Sequence, residues 1–217
     1  MDVYGLTGGI GSGKSAAAAI FEELGIPVVS ADELSRIIVT PGTEGLAAVV
    51  EAFGAGILDP SGELDRRKLG KLVFRDPVQR GRLEAILHPR IRDRFQDVLT
   101  TLEATGQHMV IYEVPLLFEN NLEKTMKAVI LVSAPEAVRI ARVMERDKLT
   151  PDEVRARIAT QMDDAGRRAR ADHILENDGD LASLRRQVEA LLVKLVPRAP
   201  GKPPPPPRVP PPPKVKQ

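Results

Sequence analysis

Residues 8–15 read Gly8-Gly9-Ile10-Gly11-Ser12-Gly13-Lys14-Ser15, filling every fixed position of the pattern G-x-x-x-x-G-K-[ST]. Glycines admit backbone angles closed to other residues and let successive N–H groups point inward. Such a loop makes a nest for the oxygens of a nucleotide's phosphates. Lys14 would bring a point charge to the outer phosphates, and the Ser15 hydroxyl would hold Mg2+. The chemistry expected here is the handling of a nucleoside triphosphate, ATP, together with magnesium.

A strand must deliver this loop and a helix must receive it. Val3–Thr7 reads as a short buried strand and Ser15–Leu24 as a helix closed by Gly25, so the loop lies where the helix dipole favours anions. Ile26–Val29 reads as a second strand, parallel to the first because a helix separates them. Ser30-Ala31-Asp32-Glu33 then opens a helix as an S-x-x-E capping box. Asp32 has two readings, as a first-turn carboxylate complementing the dipole and as a site residue. Ligands of parallel α/β sheets bind at the carboxyl ends of strands, and this favours the site. Met109–Val114, Ala128–Val132 and Asp172–Asn177 supply three more strands. Glu113 reads equally well as facing a metal and as a solvated strand-end carboxylate.

Between residues 41 and 106 helical spacing replaces strand patterning, which predicts a helical insert. Asp65 can cap a helix carrying Leu69, Leu72 and Val73. His88-Pro89 is expected to start another, with Ile91, Phe95, Val98, Leu99 and Leu102 on one stripe. His88 alone is weak evidence of chemistry. The many bases from Arg66 to Arg94 either face water or converge on an anionic second substrate. Pro115–Glu119 reads as a turn and helix start, and Ser133-Ala134-Pro135-Glu136 as a further capping box. Along the helix that follows, Arg139, Arg142 and Arg146 share one face, opposite Val138, Ala141 and Met144. Thr150-Pro151-Asp152-Glu153 begins a helix carrying Arg157 and Gln161. The two helices suit a lid over residues 135–165 whose guanidiniums neutralise a phosphoryl group in transfer, with a solvated arginine face as the bland alternative. Leu181–Val196 closes the fold.

The 217 residues suffice for one ordinary domain, over residues 1–197. There is no cysteine, hence no disulfide framework or thiolate metal site. The chain enters a strand without a signal-like segment and contains no apolar run of membrane-spanning length, so a soluble, cytoplasmic protein is expected, with no membrane partner. The net charge of +1 divides into five bases without an acid in residues 198–217 and −4 over the rest, which argues against a nucleic-acid partner. Ten of the 19 prolines also fall in 198–217, so that stretch is expected to be a disordered tail, with a proline-rich ligand for an aromatic groove as the alternative.

The chain resembles the dephospho-coenzyme A kinases over residues 3–196. The resemblance rests on Gly5 to Ser15, Ala31-Asp32, Arg67 with Leu69, Val73-Phe74, His88-Pro89, Pro115-Leu116-Leu117-Phe118-Glu119, Arg146-Asp147, Arg157-Ile158 with Gln161, and Ala171-Asp172 with Asn177. It implies a three-layer P-loop kinase fold, a five-stranded parallel sheet flanked by helices, with residues 41–106 receiving the coenzyme A moiety and a mobile lid. It further implies ATP-dependent phosphorylation of the ribose 3′-hydroxyl of dephospho-CoA. In that scheme Gly8 to Ser15 and Ala16 hold ATP, and Asp32, Arg67, His88 and Leu116 serve the acceptor. Asp32, Lys14 and one of Arg139, Arg142 and Arg146 carry the chemistry. Separately, a monomer is expected. Two departures stand out: Ser30 where the family commonly has Asp, and Ala16 where many members have Thr. The alternatives are another P-loop small-molecule or nucleotide kinase, and a GTPase switch, for which the N-K-x-D segment is missing.

Overall fold

The computed structural model describes residues 1–74 and 76–195; Arg75 of the basic run and the expected tail at 198–217 lie outside the described residues. In chain order the elements are β1 (Asp2–Thr7), α1 (Lys14–Glu23), β2 (Val28–Ser30), α2 (Ala31–Ile37), α3 (Glu44–Phe53), α4 (Arg66–Phe74) and α5 (Pro77–Ala104). There follow β3 (Met109–Glu113), β4 (Ala128–Ser133), α6 (Glu136–Asp147), α7 (Pro151–Ala159), α8 (Asp164–Arg170), β5 (His173–Glu176) and α9 (Leu181–Leu195). The strands form one five-stranded parallel sheet in the order β2-β3-β1-β4-β5, flanked by helices as a three-layer α/β fold.

Two compact units divide the chain, residues 29–108 with Met1, and residues 2–28 with 109 onward. In the second, β1 is central and aligned Gly5 to Tyr112 on one side and Leu6 to Ile130 on the other. Its strands are near-continuous apolar runs because both faces are covered. Tyr4, Leu6, Ile111, Ile130 and Leu175 pack with Ile20 and Phe21 of α1 and with Leu184, Val188 and Leu191 of α9, the i, i+4, i+7 stripe of an amphipathic helix. In the first unit Ile38, Val39, Leu46, Val49, Ile57 and Leu69 are buried, and α5 lays Leu83, Ile86, Leu87 and Ile91 against them. Among the described residues no helix is long and apolar enough to cross a membrane.

Several elements differ from expectation. Pro89 does not begin a helix; it lies inside α5, 28 residues long, whose start is Asp76, with its carboxylate accepting from Val78 and Gln79 N–H ahead of Pro77. Pro89 has no N–H and its ring crowds the preceding turn. There the Arg90 guanidinium donates to the Ile86 carbonyl at 2.8 Å. Pro115–Glu119 forms turns rather than a helix start, with Leu117 and Phe118 buried. Ser133 is the last residue of β4, and α6 starts at Glu136 without a side-chain cap. The Thr150 box on α7 is complete, but Gln161 lies beyond that helix. Lys148, at φ 57, ends α6 in the left-handed region.

Candidate active site

The phosphate loop leaves the carboxyl end of β1 and enters α1 through Gly13, whose φ of 92 is open to glycine at little cost. A β-carbon there would also collide with Nδ2 of Asn177, which donates to the Ser12 carbonyl at 2.8 Å and so clamps the loop to the end of β5. Within the loop the Ser12 amide donates to Gly9 O and the Ala16 amide to Gly13 O. Lys14 Nζ donates to the Gly8 carbonyl at 2.9 Å, which holds its charge over the nest. Gly9, Gly11, Gly13, Lys14 and Ser15 floor a cleft of about 180 Å³ walled by Arg142, Val143 and Arg146.

The α6 arginines lie on one face, as expected, but meet different surroundings. That face is buried at Arg139 and Val143, whereas Ala141, expected on the opposite side, is exposed. Arg139 is 4 % exposed and its Nε donates to the Ile10 carbonyl at 2.9 Å. Arg142 is half-buried. The Arg146 side chain is 63 % exposed and held bidentate by Asp147, which also receives Arg157.

Two further residues reach the loop at Gly9 and Ile10, and spacing alone does not reveal them. Arg167 of α8 is 1 % exposed and its Nη2 donates to Gln161 Oε1 at 3.4 Å. The same oxygen accepts the Ile10 amide at 2.9 Å. Burial holds the Arg139 and Arg167 guanidiniums below their ordinary range, and the Arg139 charge adds to the effect on Arg167. Neighbouring Arg168 serves structure instead: it bonds Asp164, both oxygens of Glu176 and the Ser133 hydroxyl, which also donates to Asp164. Those partners raise its pKa further.

Among the described residues Ser12 Oγ, Arg139 Nη2 and Arg142 Nη1 are buried with no hydrogen-bond partner. Buried polar atoms are ordinarily satisfied, so donors left over around a phosphate nest fit an anionic ligand. Ser15 is exposed on the cleft floor with its hydroxyl uncommitted among the described residues, and no cluster of three acidic or histidine ligands occurs among them. One hydroxyl plus phosphate oxygens and water is how Mg2+ is commonly held beside a nucleotide, so the residues fit that ion.

In the other unit Asp32 is exposed in the first turn of α2, where Ser30 Oγ accepts the Glu33 amide and does the capping. Arg67 is exposed on α4 and His88 exposed within α5. Leu116 is exposed on its turn, and Glu113 is half-buried at the end of β3.

A central parallel strand ending in a glycine nest, followed by a helix and walled by guanidiniums, defines a phosphate-loop kinase. The family model of CoaE, dephospho-CoA kinase, matches residues 2–183. A dephospho-CoA kinase from Idiomarina loihiensis is 46% identical over 189 residues, covering 87% of this chain and 92% of that protein. Among solved structures, TT1252 from Thermus thermophilus superposes with a TM-score of 0.79 at 38% identity, covering 90% of this chain and 98% of its own. A dephospho-CoA kinase from Campylobacter jejuni gives 0.66 at 27%, covering 89% and 96%. The chain belongs to the dephospho-CoA kinase family.

Proposed function

We propose that the protein transfers the γ-phosphoryl group of ATP to the ribose 3′-hydroxyl of dephospho-CoA, giving CoA and ADP, the last step of coenzyme A biosynthesis. The observation that carries this reading is the intact phosphate nest, with unpartnered buried guanidinium nitrogens beside it, in a chain that matches the family along residues 2–183. The loop amides and Lys14 hold the β- and γ-phosphates, Lys14 exchanging the Gly8 carbonyl for phosphate oxygen. Ser15 would hold Mg2+, which when bound would supply neutralising charge to the phosphates. Asp32 orients the 3′-hydroxyl and accepts its proton, and Arg67, His88 and Leu116 bind the rest of the acceptor. Arg139 and Arg142 meet the charge of the group in transfer, and Arg146 leaves Asp147 to join them when residues 135–165 close as a lid. Most of the rate comes from position and electrostatics, since phosphoryl transfer leaves little covalent work to a protein. The enzyme acts in the cytoplasm, where ATP is supplied, and as a monomer.

The test is ADP release with Mg-ATP and, separately, dephospho-CoA, AMP, CMP or shikimate. Rapid turnover is expected with dephospho-CoA alone. No ADP with dephospho-CoA, or faster release with another acceptor, would overturn the assignment.

A further inference from the structure

Arg139 and Arg167 reach the loop from different helices and are both almost wholly buried, yet neither makes an ion pair among the described residues. The carboxylates of Glu119, Asp163 and Asp164 act on Arg167 only through space, and those of Asp164 and Glu136 on Arg139. A buried cation without a counter-ion is costly, and two side by side cost more. Both guanidiniums face Gly9, where a β-carbon would run into Arg139 Nη2 and lie 2.8 Å from Arg167 Nη1. Among the described residues Arg139 Nη2 has no hydrogen-bond partner. What holds this unfavourable pair is the Ile10 peptide: its carbonyl takes Arg139 Nε, and its N–H goes to the Gln161 oxygen that also receives Arg167. Among the described residues Gln161 is thus the one neutral side chain bonded to both the loop and the second arginine. A neutral acceptor holds a guanidinium in place without cancelling its charge.

We propose that Arg139 and Arg167 form a two-guanidinium receptor for a phosphoryl group at Gly9, with Arg167 a binding residue for that group and Gln161 the positioning residue that sets it. This rests on the kinase reading above and extends it to a residue outside the α6 stripe and outside the lid. The phosphoryl group has two possible sources, the γ-phosphate of the nucleotide and the phosphate newly placed on the ribose. Planar forks are suited to either, because two N–H groups can meet two phosphate oxygens at once.

Calorimetric titration of the full chain separates these. Mg-ADP is compared with Mg-ADP plus beryllium fluoride, which mimics the γ-phosphoryl group, and CoA with dephospho-CoA. The wild type is expected to gain roughly 10- to 100-fold in affinity from the added phosphoryl mimic, as charge-assisted hydrogen bonds allow. Arg167→Met should lose most of that gain while ADP itself binds within about threefold of wild type, since the α- and β-phosphates rest on the loop amides. Loss confined to the CoA over dephospho-CoA difference would instead assign the receptor to the product phosphate and equally support it. Full retention of both gains would overturn it.

Gln161→Glu guards against mere misfolding. The carboxylate keeps the acceptor oxygen for Ile10 and Arg167 but neutralises the receptor, so Tm should hold or rise while the phosphoryl-dependent gain and kcat fall by about tenfold or more. A purely structural glutamine would move Tm and kcat together, and that result would remove the positioning role. If Arg167→Met fails to fold, Arg167→Lys, which keeps the charge and loses the fork, is expected to retain only part of the gain, and full retention there is disproof. A wild type that tightens with beryllium fluoride but leaves dephospho-CoA unphosphorylated would sink the proposed activity and leave the receptor standing.

Discussion

Ser30 and Asp32, two residues apart, divide tasks that either could perform. Because Ser30 Oγ accepts the Glu33 amide, the Asp32 carboxylate is left out of the cap and stands exposed. Asp32→Asn is therefore expected to leave Tm almost unchanged, to leave ATP affinity intact by calorimetry, and to lower kcat by about 10²–10⁴, as for a lost general base. Near-normal turnover would return Asp32 to complementing the helix dipole. The loop residues were legible from sequence because eight consecutive positions carry the whole pattern. Arg139 and Arg142 were legible as a helical stripe, but the stripe could not tell them from Arg146: one face of α6 runs from full burial at Arg139 to solvent at Arg146, where Asp147 takes the guanidinium. Arg167 gave no such signal, since α8 has seven residues and too few turns for periodicity. Asn177 stood within a recognisable segment, but its bond to the Ser12 carbonyl spans 165 positions, which no local pattern records.

Two segments with the same S/T-x-x-E spelling show where reading elements from sequence succeeds and fails. Thr150 lies in a connection, with Pro151 at the first helical position, so its hydroxyl and Glu153 close the box. Ser133 is paired with Glu176 in the β4–β5 ladder, so its backbone is already committed and its hydroxyl turns to Asp164 and Arg168. Thr150→Ala should cost about 0.5–2 kcal/mol in urea unfolding, as a lost N-cap does. Ser133→Ala should cost about 1–3 kcal/mol by removing a partner from half-buried polar groups. It should leave the helicity of α6 unchanged, whereas a true cap would not. The helix through Pro89 was hidden for a related reason: two X-Pro starts compete, and the one whose preceding carboxylate bonds two amides wins.

For the whole molecule, five strands and a helical stretch between the second and third were readable, because buried parallel strands are apolar throughout and amphipathic helices are not. The order was not readable: β3 lies between β2 and β1, and hydrophobic runs do not say which neighbour each strand takes. Tyr112 makes the sheet sensitive to alkali. It is buried on β3 opposite Gly5, and burial pushes its phenol up to about 12. The neutral phenol is the form the fold accepts. Its contribution is therefore complete below pH 10, where the unfolded phenol is also protonated, and is lost as pH rises from about 10 through about 12. Full ionisation should withdraw about 2–3 kcal/mol. Circular dichroism between pH 9 and 12 should show Tyr112→Phe unfolding at higher pH than wild type; coincident curves would refute the argument.

The turn at Lys148 carries a cost of its own. A lysine in the left-handed region is roughly 1–2 kcal/mol above its relaxed state, so the corner between α6 and α7 does not favour the angle it adopts. What holds the angle is the packing around the corner, and the α6 guanidiniums are placed by a turn that carries this strain. Lys148→Gly would relieve that strain, raising Tm by about 1–4 °C. If spent nucleotide leaves by unbending the same corner, stopped-flow measurement should find ADP departing more slowly from the relaxed variant than from the tense parent.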